Sequence, residues 1–138
     1  MTVPMTPAVR AFLADAPRFA TIATINPDGS PHQVVVWYLV HGDRIVLNSL
    51  EGRRWPANLR RDQRISVTVE DGLDYVNIVG LAAEEPDPAL AQAEIAEMAR
   101  RYHDAAEAER LIAERFSSQA RVRFFVSPRK IETHGDID

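Results

Sequence analysis

The chain contains no cysteine. A disulfide framework, thiol catalysis and a thiolate metal site are all excluded. Lysine is almost as scarce, with Lys130 the single example among 16 basic residues. Arginine and alanine are plentiful instead, so the position of an arginine carries more information than the number of them. The formal net charge is −4, which argues against general nucleic-acid binding. No apolar run approaches the ~20 residues that a membrane helix needs, and MTVPMTPAVRAFLADAPRF lacks a charged leader followed by a long apolar stretch. A cytoplasmic protein with neither a membrane nor a nucleic-acid partner is expected. Repeats, low-complexity tracts and linkers are missing too. At 138 residues, 46% hydrophobic and 26% charged, the chain reads as one globular domain spanning 1–138.

Familiar catalytic patterns are also missing. There is no G-x-G-x-x-G or Walker loop, and no Ser-His-Asp arrangement follows from spacing. His32, His41, His103 and His134 are scattered without metal-ligand spacing. No pair of carboxylates stands out. Hydrolysis has little support, and an enzyme built on this chain would take its chemistry from a cofactor.

What is present alternates between strand and turn signals. Thr6-Pro7 opens a short helix carrying Val9, Phe12 and Leu13, ended by Pro17. RFATIATIN (18–26) reads as a strand, NPDGS (26–30) as a turn, and PHQVVVWYLVH (31–41) as one long strand buried on both faces. Gly42-Asp43 turns the chain into RIVLN (44–48). A short helix is expected over 53–61, with Trp55 and Leu59 on one side and Pro56 in its first turn. RISVTVE (64–70) alternates as a half-buried strand, and YVNIVGLAAEE (75–85) is a fifth. Asp87-Pro88 caps a helix to about His103 with Leu90, Glu94, Ile95, Met98 and Tyr102 inward. A further helix carries Leu111, Ile112 and Phe116. A last strand over 121–135 breaks or bends at Pro128. About six antiparallel strands with short flanking helices make a mainly β, α+β small barrel.

One stretch holds two arginine pairs, Arg53-Arg54 and Arg60-Arg61, in NSLEGRRWPANLRRD (48–62). Asn48 and Ser49 offer hydrogen bonds, Gly52 permits close backbone approach, and Arg53 and Arg54 sit at a helix start. Free N–H groups and the helix dipole favour an anion there, and guanidinium matches phosphate bidentately. The alternative is a solvated helix in which Glu51 suffices as counter-charge. Arg60 and Arg61 complement the helix C-terminus and read as structural.

DGSPH before an apolar strand, WY within it, and NSLEGRRWPANLRRD before the next strand resemble, together, the pyridoxamine 5'-phosphate oxidase-like superfamily. The match is closest to its flavin/deazaflavin oxidoreductase branch, the coenzyme F420-dependent reductases of actinobacterial type, and covers nearly the whole chain. The resemblance implies an FMN-binding-type split β-barrel. It also implies a homodimer with two cofactor sites at the interface, and a small-molecule substrate that receives hydride from reduced coenzyme F420. It maps phosphate binding onto Asn48, Ser49, Arg53, Arg54 and Asn58, and the cofactor ring onto Val34–Trp37, which includes Val35, Val36 and Trp37. It implies that the partner subunit completes the pocket, with Lys130 or Arg129 as the candidates. Many flavin mononucleotide binders carry lysine where Trp55 stands. Arg54 would replace that ligand, and Arg-Arg-Trp-Pro is similar to the deazaflavin-using group. Trp55 either stacks on the cofactor or anchors the helix. No single side chain presents itself as the acid, so solvent is the expected proton source, with Tyr75 and His32 as secondary candidates. Rival readings are a flavin mononucleotide enzyme of the same fold, or a non-catalytic flavin, deazaflavin or haem binder.

Overall fold

The computed structural model describes residues 2–137. Helix α1 (Pro7–Ala14) starts where its capping signal lies. The Thr6 hydroxyl accepts the Val9 N–H at 3.1 Å, and Pro7 occupies the first turn, where a missing N–H costs nothing. Seven strands follow: β1 (Ala20–Ile25), β2 (Pro31–Val36), β3 (Leu39–His41), β4 (Arg44–Leu50), β5 (Arg64–Asp71), β6 (Asp74–Glu84) and β7 (Arg121–His134). Helix α2 (Arg54–Arg61) joins β4 to β5. Helices α3 (Pro88–Tyr102) and α4 (Ala105–Glu114) lie between β6 and β7. The strands form one antiparallel sheet in the order β2-β1-β5-β6-β7-β4-β3.

This order corrects the expected long strand over 31–41. β2 ends at Val36, Trp37 and Tyr38 turn the chain, and β3 resumes at Leu39 on the opposite edge of the sheet. The sheet curls until its two edges are joined covalently, giving a split barrel of seven strands rather than six. Nor is β2 buried on both faces. Val34 and Val36 pack on the barrel core, while Val35 is 62% exposed. The strand buried on both faces is β4. Ile45 and Leu47 face the barrel interior, and Val46 lies in the outer cluster with Ile95, Met98 and Phe125. Strand alternation explains the split: α3 covers β4 and β7 and leaves the β2 edge bare.

Two cores result. The barrel interior gathers Leu13, Ile22, Tyr38, Leu47, Trp55, Leu59, Ile78 and Phe124. The outer core lies under α3 and α4 and gathers Leu39, Val46, Ile95, Met98, Leu111, Phe116 and Phe125. Trp37 and Tyr38 are adjacent yet belong to different cores. Tyr38 is fully buried in the barrel, its hydroxyl donating to Leu13 O at 2.6 Å. Burial pushes that hydroxyl up to about 12. Trp37 packs against the outer core.

Two local expectations change. Leu90 is exposed, because the inner face of α3 begins at Ala91 and continues through Glu94, Ile95 and Met98. β7 does not break at Pro128 but carries a bulge. Val79 faces Lys130 and Gly80 faces Pro128, leaving Arg129 as the extra residue. Glycine is required at 80, since a Cβ there would lie 2.3 Å from Ser127 O.

Candidate functional site

The arginine-rich stretch separates into a structural half and an uncommitted half. Arg60 binds both Glu51 (Nη1–Oε1 2.7 Å) and Glu84 (Nη2–Oε2 2.7 Å), and its guanidinium is raised by Glu84 first and Glu51 second. Arg61 donates to Asn58 Oδ1 and to Ile25 O. These two arginines tie α2 to the sheet. Arg53 and Arg54 make no side-chain hydrogen bond and no ion pair among the described residues. Arg53 is the N-cap of α2, an extended residue with no side-chain cap, and the first turn of the helix contains no acidic residue. The N–H groups that open α2 therefore lack the usual side-chain acceptor. Gly52 serves this corner through its φ of +96° and not through close approach, since nothing lies within 4 Å of a Cβ built on it.

Arg53 lies where two cavities meet. One is an open groove of about 870 Å³, lined by Arg53, Arg54, Asn58 and Arg61 and by the β1–β2 turn with Asn26, Asp28 and Ser30. The other holds about 280 Å³ and is walled by Trp37, Trp55, Phe19 and Phe116, with Asn48, Arg53 and Arg121 as its polar groups. Val35, Val36, Ile95 and Met98 complete the second. The groove carries three arginines among its lining, with Pro27 and Ala57 between the polar groups, and suits a hydrated anion. The cavity suits a flat apolar body with an anionic end.

The predicted cradle is therefore divided. Asn48 reaches the aromatic cavity but is committed. Its Nδ2 donates to Ala91 O at 2.8 Å, and its Oδ1 accepts from Arg121 Nε at 2.9 Å. Ser49, the next residue on β4, faces the barrel interior and lines neither cavity. Its Oγ is buried without a hydrogen-bond partner. Asn58 is buried at the edge of the groove, donating to Thr24 Oγ1 and Asn26 Oδ1. It anchors the β1–β2 turn beside Arg54. In that turn Asp28 is held below its ordinary range by hydrogen bonds from Ser30, with Arg54 a lesser cause.

Trp55 is an anchor. It is 3% exposed and packs on Phe124 at 5.5 Å between ring centres, showing one edge to the cavity. Trp37 is the wall. It stacks on Tyr102 at 5.2 Å and 7° and meets Phe116 edge-on at 6.4 Å. Lys130 lines neither cavity. It is exposed and paired with Glu132 at 2.9 Å. Tyr75 stacks on His134, and neither Tyr75 nor His32 lines a cavity.

The residue that sequence reasoning missed is Arg121. Nε is held by Asn48, Nη1 donates to Gln119 Oε1 at 3.0 Å, and the guanidinium lies 5.3 Å above the Phe116 ring. Every one of these partners is neutral. Burial pushes Arg121 down to about 10, with the charge of Arg53 a second cause, so it stays cationic at neutral pH. Phe19, Ile95, Met98 and Phe116 were missed as well. Each had been read as strand or helix filling, and nothing local marks them as cavity walls.

The donor set fits a phosphate-bearing ring cofactor. Uncommitted guanidinium groups stand at an uncapped helix start, next to an aromatic slot on β2. Comparison with known proteins gives the family and the fold. The family model for pyridoxamine 5'-phosphate oxidase matches residues 5–135. A conserved hypothetical protein, Rv2991 from Mycobacterium tuberculosis, superposes with a TM-score of 0.77 at 28% identity, over 96% of this chain and 86% of its own. An F420 reductase gives 0.70 at 21% identity, over 88% and 94%. The haem storage protein HutZ from Vibrio cholerae gives 0.71 at 17%, over 96% of both. The last two likenesses concern the fold alone. No curated protein sequence matches. No helix among the described residues is long and apolar enough to cross a membrane.

Proposed function

The chain belongs to the pyridoxamine 5'-phosphate oxidase family, and from that premise we propose that it is an oxidoreductase using reduced coenzyme F420 to reduce an unsaturated or conjugated small molecule. The observation that carries this reading is the pairing of uncommitted Arg53 and Arg54 at the uncapped start of α2 with an aromatic cavity along β2. Arg53, Arg54 and the first-turn N–H groups of α2 would hold the phosphate, with charge-assisted bonds of roughly twice the strength of neutral ones. Val35, Val36 and Trp37 would line the ring. When bound, the deazaflavin supplies the hydride.

The protein's own part is to bind, to orient and to keep water away. Trp37, locked by Tyr102 and Phe116, gives the slot a rigid wall, and Ile95 and Met98 exclude solvent from one side. Alignment of donor and acceptor is then the main catalytic term. Tyr75 and His32 line neither cavity, so solvent is the proton source in this reading. A homodimer belongs to the same proposal. Phe19 and Val35, 54% and 62% exposed beside the cavity mouth, would be covered by a second copy. Lys130 or Arg129 of the partner subunit would then reach the site.

A second reading is a flavin mononucleotide enzyme on the same cradle, since the family is that of an oxidase. Haem binding has less support, since no histidine lines either cavity among the described residues. The test is a side-by-side fluorescence titration with coenzyme F420 and flavin mononucleotide, with Arg53→Ala/Arg54→Ala as control. Preference for coenzyme F420, lost in the double variant, is expected. Preference for flavin moves the chemistry to the second reading. Binding of neither returns these arginines to a solvated helix start.

A further inference from the structure

We propose that Arg121 is a specificity-determining residue that reads a carboxylate on the acceptor, and that the acceptor is a small, flat, conjugated acid seated in the aromatic cavity. This rests on the oxidoreductase reading, whose substrate class it names.

Arg121 is half-buried yet has no carboxylate partner among the described residues. Its fixed contacts are Asn48 Oδ1, Gln119 Oε1 and the face of Phe116. A guanidinium carries five N–H donors. Two are used by these side-chain acceptors, and the rest are left for a ligand. Supply of acid on this sheet face is not the constraint. Arg123, two residues along β7, takes both Glu94 and Glu85. Withholding a carboxylate from Arg121 leaves a desolvated charge, which is unfavourable until an anion arrives. Arg53 faces the same cavity and raises that cost by repulsion. An anion between the two relieves both. Asn48 is the positioning residue, since it fixes Nε of Arg121 from one side and Ala91 O of α3 from the other.

The walls and size select what carries the anion. At about 280 Å³ the cavity sits at the small end of ligand sites, which run from ~300 to ~1,000 Å³. In the proposed reading the cofactor ring would take the side along Val35 and Val36, so the end at Arg121 and Phe116 is left for a small body only. The phosphate of a cofactor has its own place in the separate groove at Arg53 and Arg54. Trp37 and Phe116 offer aromatic surface to a planar molecule, and Ile95 and Met98 close the far side. A planar carboxylate matches the free edge of the guanidinium bidentately.

The test uses trans-cinnamate and its neutral isostere trans-cinnamamide, titrated into the full chain by calorimetry. Cinnamate is expected to bind about 10- to 100-fold more tightly, the range of a charge-assisted bond. Arg121→Gln should remove that preference, and Arg121→Lys should keep part of it. Cofactor titration of Arg121→Gln should stay within about twofold of the unmodified protein, while Arg53→Ala/Arg54→Ala loses cofactor. Equal binding of acid and amide, no binding of either, or a preference that survives Arg121→Gln would overturn the proposal. So would cofactor loss in Arg121→Gln equal to that of the double variant, which would place Arg121 on the cofactor phosphate. Failure of both cofactors to bind would sink the oxidoreductase reading and still leave the cinnamate comparison legible. If Arg121→Gln does not fold, as seen in its thermal melt, the acid-to-amide ratio of the unmodified protein and of Arg121→Lys decides.

Discussion

Arg121 and Arg123 stand two residues apart on β7, with side chains on the same face of the sheet. One is closed and the other open. Arg123 is 3% exposed and bound by Glu94 at 2.6 and 2.8 Å and by Glu85 at 3.1 Å. The hydrogen bonds that Arg123 donates to Glu94, the largest cause, raise its guanidinium. Arg121 meets only neutral oxygens and a ring. The difference shows that burial of a cation alone does not mark a site. The mark is burial combined with a withheld counter-charge, on a surface where counter-charge is plentiful.

The comparison breaks first in stability. Glu94→Gln leaves Arg123 buried with one exposed carboxylate, and should cost about 3 kcal/mol or more in chemical denaturation. Arg121→Gln should change the same measurement by less than about 1 kcal/mol, because it removes a charge that burial and Arg53 both disfavour. Equal losses would mean that Arg121 is as structural as its neighbour. Next is Asn48→Ala, which removes the side-chain hydrogen bond to Ala91 O and leaves Nε of Arg121 without its acceptor. A loss of about 1 to 3 kcal/mol is expected, together with a weaker preference for acid over amide. An unchanged preference would show that Asn48 does not position Arg121.

Smaller effects separate the arginines of α2 in the same way. Arg60→Ala removes exposed ion pairs to Glu51 and Glu84 and should lower stability by less than about 1 kcal/mol. Arg54→Ala should leave stability unchanged within about 0.5 kcal/mol and weaken phosphate-bearing ligands alone. Parity between them in a denaturant series would erase the distinction. The least effect is in pH. The folded value of Arg121 lies below that of the unfolded chain, so its charged form is disfavoured by folding and that penalty is removed as pH rises through about 10. The stability of the unmodified protein relative to Arg121→Gln should be flat from pH 6 to 8 and improve above about 10. A difference that moves near pH 7 would point to another group.

Local features of the fold were legible in the sequence. Thr6-Pro7 and Asp87-Pro88 cap the helices they announce, and the turns at Asp28-Gly29 and Asp71-Gly72 lie between paired strands. The break at Trp37-Tyr38 was not, because VVVWYLV has the same apolar pattern whether one edge or two are built from it. Part of the site was misread where the rule was at hand: strand alternation alone puts Asn48 and Ser49 on opposite faces. Asn58 turned inward because its amide is bonded to Thr24 on β1 and to Asn26 just after it, and no spacing reveals that. Arg121 could not be found from its own neighbourhood. Its isolation depends on which strand pairs with β7 and which helix lies over it.

The link at Trp37-Tyr38 has a consequence for closure. In a barrel sealed by ladder hydrogen bonds, opening means breaking them. Here the ring is closed by polypeptide and the ladder is left open, since β2 and β3 end the sheet on opposite sides. Only Trp37 and Tyr38 connect the wall that carries Val35 and Val36 to β3, with no strand–strand bond between β2 and β3. What fixes that link is aromatic: Tyr38 is seated in the inner core and Trp37 on the outer. The wall of the cavity and the seam of the fold meet in the same dipeptide.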